Sequence, residues 1–199
     1  MHTLLTALIP GSRVCILFIG LTAIVPILHG REHHPMKTLF EFTGQNASLE
    51  WRSNNDDVMG GFSTGRAEII EQGMLFQGKL SLKNNGGFSS IYSRGNYDLS
   101  DFSGIRLKVL GDGRTYQLRL ESDAVLSPRR PVKFSSEFKT TEGQWIEIFL
   151  PFSGLNQTWR GRQLSGHSFN PRDIRKIGIM LADKKRGEFD LKIAFIAAN

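Results

Sequence analysis

From Leu39 to Phe195 the chain alternates apolar and polar residues at a period of two. The runs are broken by Gly, Pro, Asn or Asp roughly every 8–15 residues. Ile105, Leu107 and Val109 alternate with Arg106 and Lys108; Tyr116, Leu118 and Leu120 with Gln117, Arg119 and Glu121; Phe189, Leu191, Ile193 and Phe195 with polar neighbours. A side chain in a strand faces one side of a sheet and its neighbour the other, so each run has one dry face and one wet face. No stretch shows two clear turns of an amphipathic helix. About ten such strands with no helix between them predict an all-β protein, an antiparallel β-sandwich. The 14 phenylalanines and 21 glycines agree, because strands favour aromatic residues and tight turns favour glycine.

The expected strands begin at Leu39–Phe42. Arg66–Glu71 follows, and then Met74–Leu82, whose Met74, Phe76, Leu80 and Leu82 share a face on which Gly78 marks a bulge or a close contact. Phe88–Tyr92 is next. Gly104–Leu110 and Tyr116–Glu121 read as a hairpin turned at Gly111-Asp112-Gly113-Arg114. Val132–Phe134, Trp145–Leu150 stopped by Pro151, Ile177–Leu181 and the closing run complete the set. Residues 152–172 read as a long connection without regular structure, ending in a single helical turn at Pro171–Ile174.

Two loops stand out by density of special residues. Trp51 to Ser63 contains Asn54, Asn55, Asp56 and Asp57, which turn a chain by bonding their own backbone, then Gly60 and Gly61. Trp51, Val58, Met59 and Phe62 are apolar, so this loop is expected to pack. A similar run, Asn84-Asn85-Gly86-Gly87-Phe88, is expected to lie beside it. Asp56 and Asp57 either cap turns or supply oxygen ligands to Ca²⁺; calcium-loop spacing is missing, which favours capping. Gly86 and Gly87 make a tight turn or admit a ligand to the backbone. Arg94, Arg114, Arg119, Arg160 and Arg162 form either a solvated face or a site for an anionic or polar partner. Trp159, between polar neighbours in the long connection, is either an exposed anchor or a plug at the end of the sandwich.

Enzyme chemistry finds no motif. No phosphate-cradling loop is present, and Gly111-Asp112-Gly113 lacks the third glycine of a dinucleotide fingerprint. His167 is the one histidine after the first 36 residues, with no nucleophile elbow to serve. The sequence therefore predicts no catalysis, no cofactor and no metal. The lone Cys15 cannot form an intrachain disulfide. A net charge of +6 with both signs interspersed permits contact with nucleic acid or anionic lipid but argues for neither, and no nucleic-acid motif is present.

Residues 1–36 form an apolar extension and residues 37–199 the sandwich domain. Within the extension Val14–Leu28 is uncharged and mostly apolar after Arg13, short of the ~20 residues of a membrane span. It reads as a signal, as an anchor giving membrane association through residues 14–28, or as sequence upstream of a true start at Met36. The chain is membrane-anchored or exported in the first two cases and cytoplasmic in the third.

Several motifs together resemble the complex I intermediate-associated protein family, the thirty-kilodalton assembly factor of NADH:ubiquinone oxidoreductase. They are Asn55-Asp56-Asp57-Val58-Met59-Gly60-Gly61-Phe62-Ser63, Phe76-Gln77-Gly78 before Leu80-Ser81-Leu82, Asn84 to Phe88, Asp112-Gly113-Arg114-Thr115-Tyr116, Trp145 before Leu150-Pro151-Phe152, Arg160-Gly161-Arg162, Ile177 to Met180, Asp183-Lys184, and Gly187-Glu188-Phe189. The resemblance implies a galactose-binding-like jelly roll. It also implies a non-enzymatic, chaperone-like domain that binds protein subunits of a membrane complex. The alternative, from the sandwich fold, is a carbohydrate- or small-ligand-binding module. The resemblance supplies no catalytic residues. The apolar N-terminus differs from the Arg- and Ser-rich transit peptide of mitochondrial members.

Overall fold

A computed structural model describes residues 36–44, 50–127 and 130–199. The extension, with its reading as a signal or anchor through residues 14–28, lies outside them. The described residues form fifteen strands: β1 (Lys37–Glu41), β2 (Arg52–Asn55), β3 (Thr64–Ile70), β4 (Gly73–Leu80), β5 (Ser89–Tyr97), β6 (Gly104–Gly111), β7 (Thr115–Glu121), β8 (Val125–Ser127), β9 (Arg130–Pro131), β10 (Lys133–Lys139), β11 (Trp145–Pro151), β12 (Asn156–Trp159), β13 (Arg162–Gln163), β14 (Ile174–Leu181) and β15 (Gly187–Ala198). Among the described residues there are short 3-10 turns and no α-helix, and no helix is long and apolar enough to cross a membrane.

The strands build a jelly-roll sandwich of two antiparallel sheets. The first runs β11-β6-β15-β4-β3, with β1 continuing along the β4 side of β15. The second runs β13-β12-β10-β7-β14-β5-β2, and β8 and β9 form a separate ribbon. The core lies between the sheets. Met74, Phe76, Ile105, Leu107, Val109 and Leu191 come from the first; Ile91, Tyr116, Leu118, Leu120, Ile177 and Ile179 from the second. All are buried, each large apolar side chain contributing about 1.5–3 kcal/mol.

The alternation identifies the inward faces, but not the partners. β6 and β7 do not pair as the expected hairpin. β6 pairs with β11 and β15, while β7 pairs with β10 and β14 in the other sheet. Both strands need their apolar face covered, and the 111–114 turn meets this by carrying the chain across the core. Gly111 makes the crossing close: a Cβ there would lie 2.6 Å from Thr140 side-chain atoms.

Other expectations shift locally. In β15 the register slips between Ile193 and Phe195, so Ile196 and Ala198 face the core and Phe195 does not. Leu82 falls outside β4 and is exposed. The 152–172 connection contains β12 and β13, and Ile174 opens β14 directly, with no helical turn before it.

Gly78 is the close contact that its position suggested: a Cβ there would sit 1.9 Å from the Thr64 carbonyl oxygen on β3. Gly78→Ala should therefore cost about 1–3 kcal/mol through forced separation of β3 and β4. Thermal denaturation followed by circular dichroism should show a Tm lower by roughly 4–10 °C. Gly154→Ala, where the added carbon would meet only Pro151 Cγ at 3.6 Å, should stay close to the parent.

Candidate functional site

Asp56 begins a 3-10 turn, Asp56–Met59, that ends at Gly60 in the left-handed region (φ 82°). Its carboxylate is buried. It accepts from the Ser63 backbone N–H at 2.8 Å, the Ser63 hydroxyl at 2.5 Å, the Gly87 N–H at 2.6 Å and the Phe88 N–H at 3.3 Å. The two glycine-rich loops are thus tied through one side chain. Ser63 extends the tie, because its hydroxyl oxygen also accepts from the Ser81 N–H at 3.0 Å. Gly61 and Gly86 leave room for the carboxylate: added Cβ atoms would lie 2.3 Å from Asp56 Oδ1 and 2.6 Å from Oδ2.

The neighbouring polar residues complete this knot. Asn55 Nδ2 donates to the Gly65 carbonyl at 3.3 Å, and Asn55 Oδ1 accepts from the Ser89 hydroxyl at 2.6 Å. The Asn54 carbonyl accepts from Ser90, and Asn84 Nδ2 donates to the Gly60 carbonyl at 3.1 Å. Asn84 and Asn85 both adopt left-handed backbone (φ 53° and 55°), which asparagine tolerates best among non-glycine residues. Asp57 is exposed and, among the described residues, accepts only from the adjacent Val58 N–H. Burial pushes the Asp56 carboxyl upward, but the Ser63 hydroxyl and the N–H groups of Gly87, Ser63 and Phe88 outweigh it and hold the group below the usual carboxylate range.

The loop's apolar residues correct the expectation that it packs inward. Trp51 is 7% exposed, against Phe40 and Phe42. Val58 is 69% exposed, Met59 62%, Phe62 61% and, across the tie, Leu82 44%. The carboxylate and its donors occupy the inside of the loop, which leaves these side chains pointing out.

Arg114 and Tyr116 serve a second knot. Arg114 donates to Asp183 through Nε (3.0 Å) and Nη2 (2.6 Å), to the Glu188 carbonyl through Nη1 (3.0 Å), and to the Lys185 carbonyl. It is a buried clamp on the 183–187 turn rather than part of a surface anion site. Burial opposes its charge, but Asp183 more than compensates. The fully buried Tyr116 donates its hydroxyl to Asp112, and burial together with that carboxylate pushes its titration up.

The register places both knots at one end of the second sheet, where Asn55, Ser89, Leu181 and Tyr116 are directly opposite in turn. Trp159 belongs to the other end, next to Thr158 opposite Lys133. It is half-buried, with Arg130 and Arg160 guanidinium carbons 5.2 and 5.1 Å from its ring centroid. Arg130 lies on the ribbon that carries exposed Val125 and Leu126. Arg162 is exposed opposite Trp159. Among the described residues no three His, Cys, Asp or Glu side chains are grouped to hold a metal.

Sequence reasoning missed Ser63 and Asp183 as the partners of Asp56 and Arg114. Ser63 was within reach, since it closes the same motif. Asp183 was not, because only the sheet order brings it to Arg114.

The profile of the family described as Complex I intermediate-associated protein 30 (CIA30) matches residues 40–193. The chain belongs to this family. A Caenorhabditis elegans member, "Probable complex I intermediate-associated protein 30, mitochondrial", is 29% identical over 184 residues, covering 82% of this chain and 54% of its own length. The Mus musculus "Complex I intermediate-associated protein 30, mitochondrial" is 27% identical over 206 residues, covering 87% of this chain and 61% of its own. This chain thus spans little more than half the length of these CIA30 relatives. Among solved structures, a Family 11 Carbohydrate-Binding Module of a Clostridium thermocellum cellulosomal cellulase superposes with a TM-score of 0.62 at 16% identity, covering 82% of this chain and 94% of that one. That likeness shows the β-sandwich fold.

Asp56→Asn should replace two acceptor oxygens by one and set an amide against N–H donors, costing roughly 2–4 kcal/mol at neutral pH. Because the folded carboxyl titrates lower than the unfolded one, its contribution is complete above about pH 4 and is lost as pH falls through the folded value. Denaturant melts from pH 7 to pH 3 should show the parent losing stability toward acid, and Asp56→Asn losing measurably less.

Proposed function

We propose that this CIA30-family domain catalyses no reaction and binds protein subunits of a membrane complex during its assembly, the complex being of the NADH:ubiquinone oxidoreductase kind named for its relatives. The observation that carries this is the exposure of four large apolar side chains, Val58, Met59, Phe62 and Leu82, on the two loops tied by Asp56. Large apolar side chains held out on a rigid turn are the anchors of protein interfaces, and methionine adapts to varied partners. Pinning by Asp56 reduces the ordering cost of docking. The polar groups of the same loops, Asn55, Asp56 and Ser63, are consumed by one another and by the backbone, leaving few convergent donors for a small substrate.

The carbohydrate-binding reading has less support. It requires an aromatic platform with free polar groups beside these loops; Phe62 is exposed there, but the neighbouring Asn55, Asp56 and Ser63 side chains are already bonded, and Trp159 belongs to the opposite end of the sheet, between two arginines.

A photo-crosslinking residue at position 59 or 62, introduced into the full chain in native membranes, tests this. Crosslinks to subunits of a respiratory complex are expected. The pair Met59→Glu and Phe62→Glu should reduce recovery of those subunits at least tenfold with Tm changed by no more than about 2 °C, since exposed sites tolerate charge. Undiminished recovery by the double variant, or hits on a glycan array without subunit crosslinks, would contradict it.

A further inference from the structure

The outward face of the second sheet carries an unbalanced row of donors. Arg52 on β2 lies directly opposite Tyr92 on β5, Tyr92 opposite Gly178 on β14, and Gly178 opposite Arg119 on β7. Directly opposed residues share a face, and this one is opposite to that of Ile91, Ile177 and Leu118 in the core. One step along, Arg94, Lys176 and Glu121 form a second row on the same face.

Arg119 is the centre. Its Nη1 lies 2.7 Å from the Met180 thioether, and it has no carboxylate or carbonyl partner among the described residues. A guanidinium has five N–H donors and a thioether is a weak acceptor. Glu121 does not serve it: that carboxylate is bridged by Lys133 and, at 3.0 Å, by Lys176. Burial pulls Arg119 down from its ordinary value, opposed only by Glu121. Gly178, between Arg119 and Tyr92, adds no side chain of its own; a Cβ there would lie 3.2 Å from Tyr92 Cβ.

The row ends at a cavity of about 450 Å³ lined by Glu50, Trp51, Arg52, Tyr92 and Arg94. Trp51 itself turns its ring inward against Phe40 and Phe42, so the polar lining of the cavity comes from Glu50, Arg52, Tyr92 and Arg94. The Tyr92 ring is covered by Lys176 Nζ at 3.9 Å and by Arg94 at 5.7 Å, so it offers cations where a sugar would need an open aromatic face. Three strand spacings of ~4.8 Å separate Arg52 from Arg119, about 14 Å.

We propose that this face binds an extended acidic peptide segment of a protein partner, one carboxylate on Arg119 and another on Arg52 and Arg94. At ~3.4 Å per residue the two acids stand about four residues apart, on the same side of an extended strand. This specificity rests on the protein-binding function proposed above, but it uses none of the loop-tip residues.

Fluorescence anisotropy of the full chain tests it, with a labelled Gly/Ser peptide carrying Glu at its first and fifth positions and a Gln counterpart. The Glu peptide should bind at low salt and weaken as salt rises, the Gln peptide should not bind, and a neutral β-glucan tetrasaccharide should not compete. Arg119→Gln should weaken binding at least tenfold, the more exposed Arg94→Gln several-fold, and Arg186→Gln on the distant 183–187 turn not at all. Equal binding of both peptides, insensitivity to both Arg119→Gln and Arg94→Gln, or tighter Arg119-dependent binding of a single-stranded oligonucleotide would overturn it. If the peptide fails while loop-tip crosslinks persist, this site is lost and the assembly reading stands; if the crosslinks fail as well, both are lost.

Discussion

The Asp56 carboxylate, removed from water and held by Ser63 and the backbone N–H groups of Gly87 and Phe88, is the contact on which one end of the sandwich depends. A buried charge costs several kcal/mol unless its oxygens are satisfied. Here four donors meet it, drawn from two loops far apart in sequence. That requirement explains why Gly61 and Gly86 have no side chain, why a hydroxyl stands at position 63, and why the loop turns its apolar residues outward. The Arg114–Asp183 pair does comparable work at the same end, clamping the turn before β15.

These two knots leave the domain with two kinds of surface. The end carrying the 56–62 loop exposes Val58, Met59 and Phe62 on a loop tied down by Asp56. The outward face of the second sheet is cationic, with Arg119 lacking an oxygen acceptor among the described residues. In the protein-binding role proposed above the two would divide the work: apolar anchors supply contact energy, and charged groups supply orientation and choice of partner. The carbohydrate-binding modules share the sandwich with this chain, but a fold hosts many functions, and these side chains differ from a sugar platform.

Much of the fold was legible in the alternation. Ile105, Leu107, Val109, Tyr116, Leu118 and Leu120 face the core as their spacing required. Their pairing was not legible, because period two identifies a face and not a partner, and a short turn suits a hairpin as well as a crossing between sheets. Phe195 was misplaced because the slip after Ile193 leaves no local mark. β12 was missed because Asn156 to Trp159 does not alternate; its partner β10 defines it. At the site, the proximity of the two glycine-rich loops followed from their shared composition. The exposure of Val58, Met59 and Phe62 did not, since nothing local announces that a carboxylate has taken the interior. The Arg52–Tyr92–Gly178–Arg119 row exists only through the register of four strands remote in the chain.

The most direct test of the central claim is amide hydrogen exchange at Ser63 and Gly87, resolved by NMR at neutral pH. If the Asp56 carboxylate pins the loops, both amides should exchange only through large-scale opening, with protection close to that of Leu118 and Ile179 in the central strands. Exchange as fast as that of the exposed turn at Lys184 and Lys185 would contradict the account. The loops would then be mobile, and the apolar tip would have no rigid base.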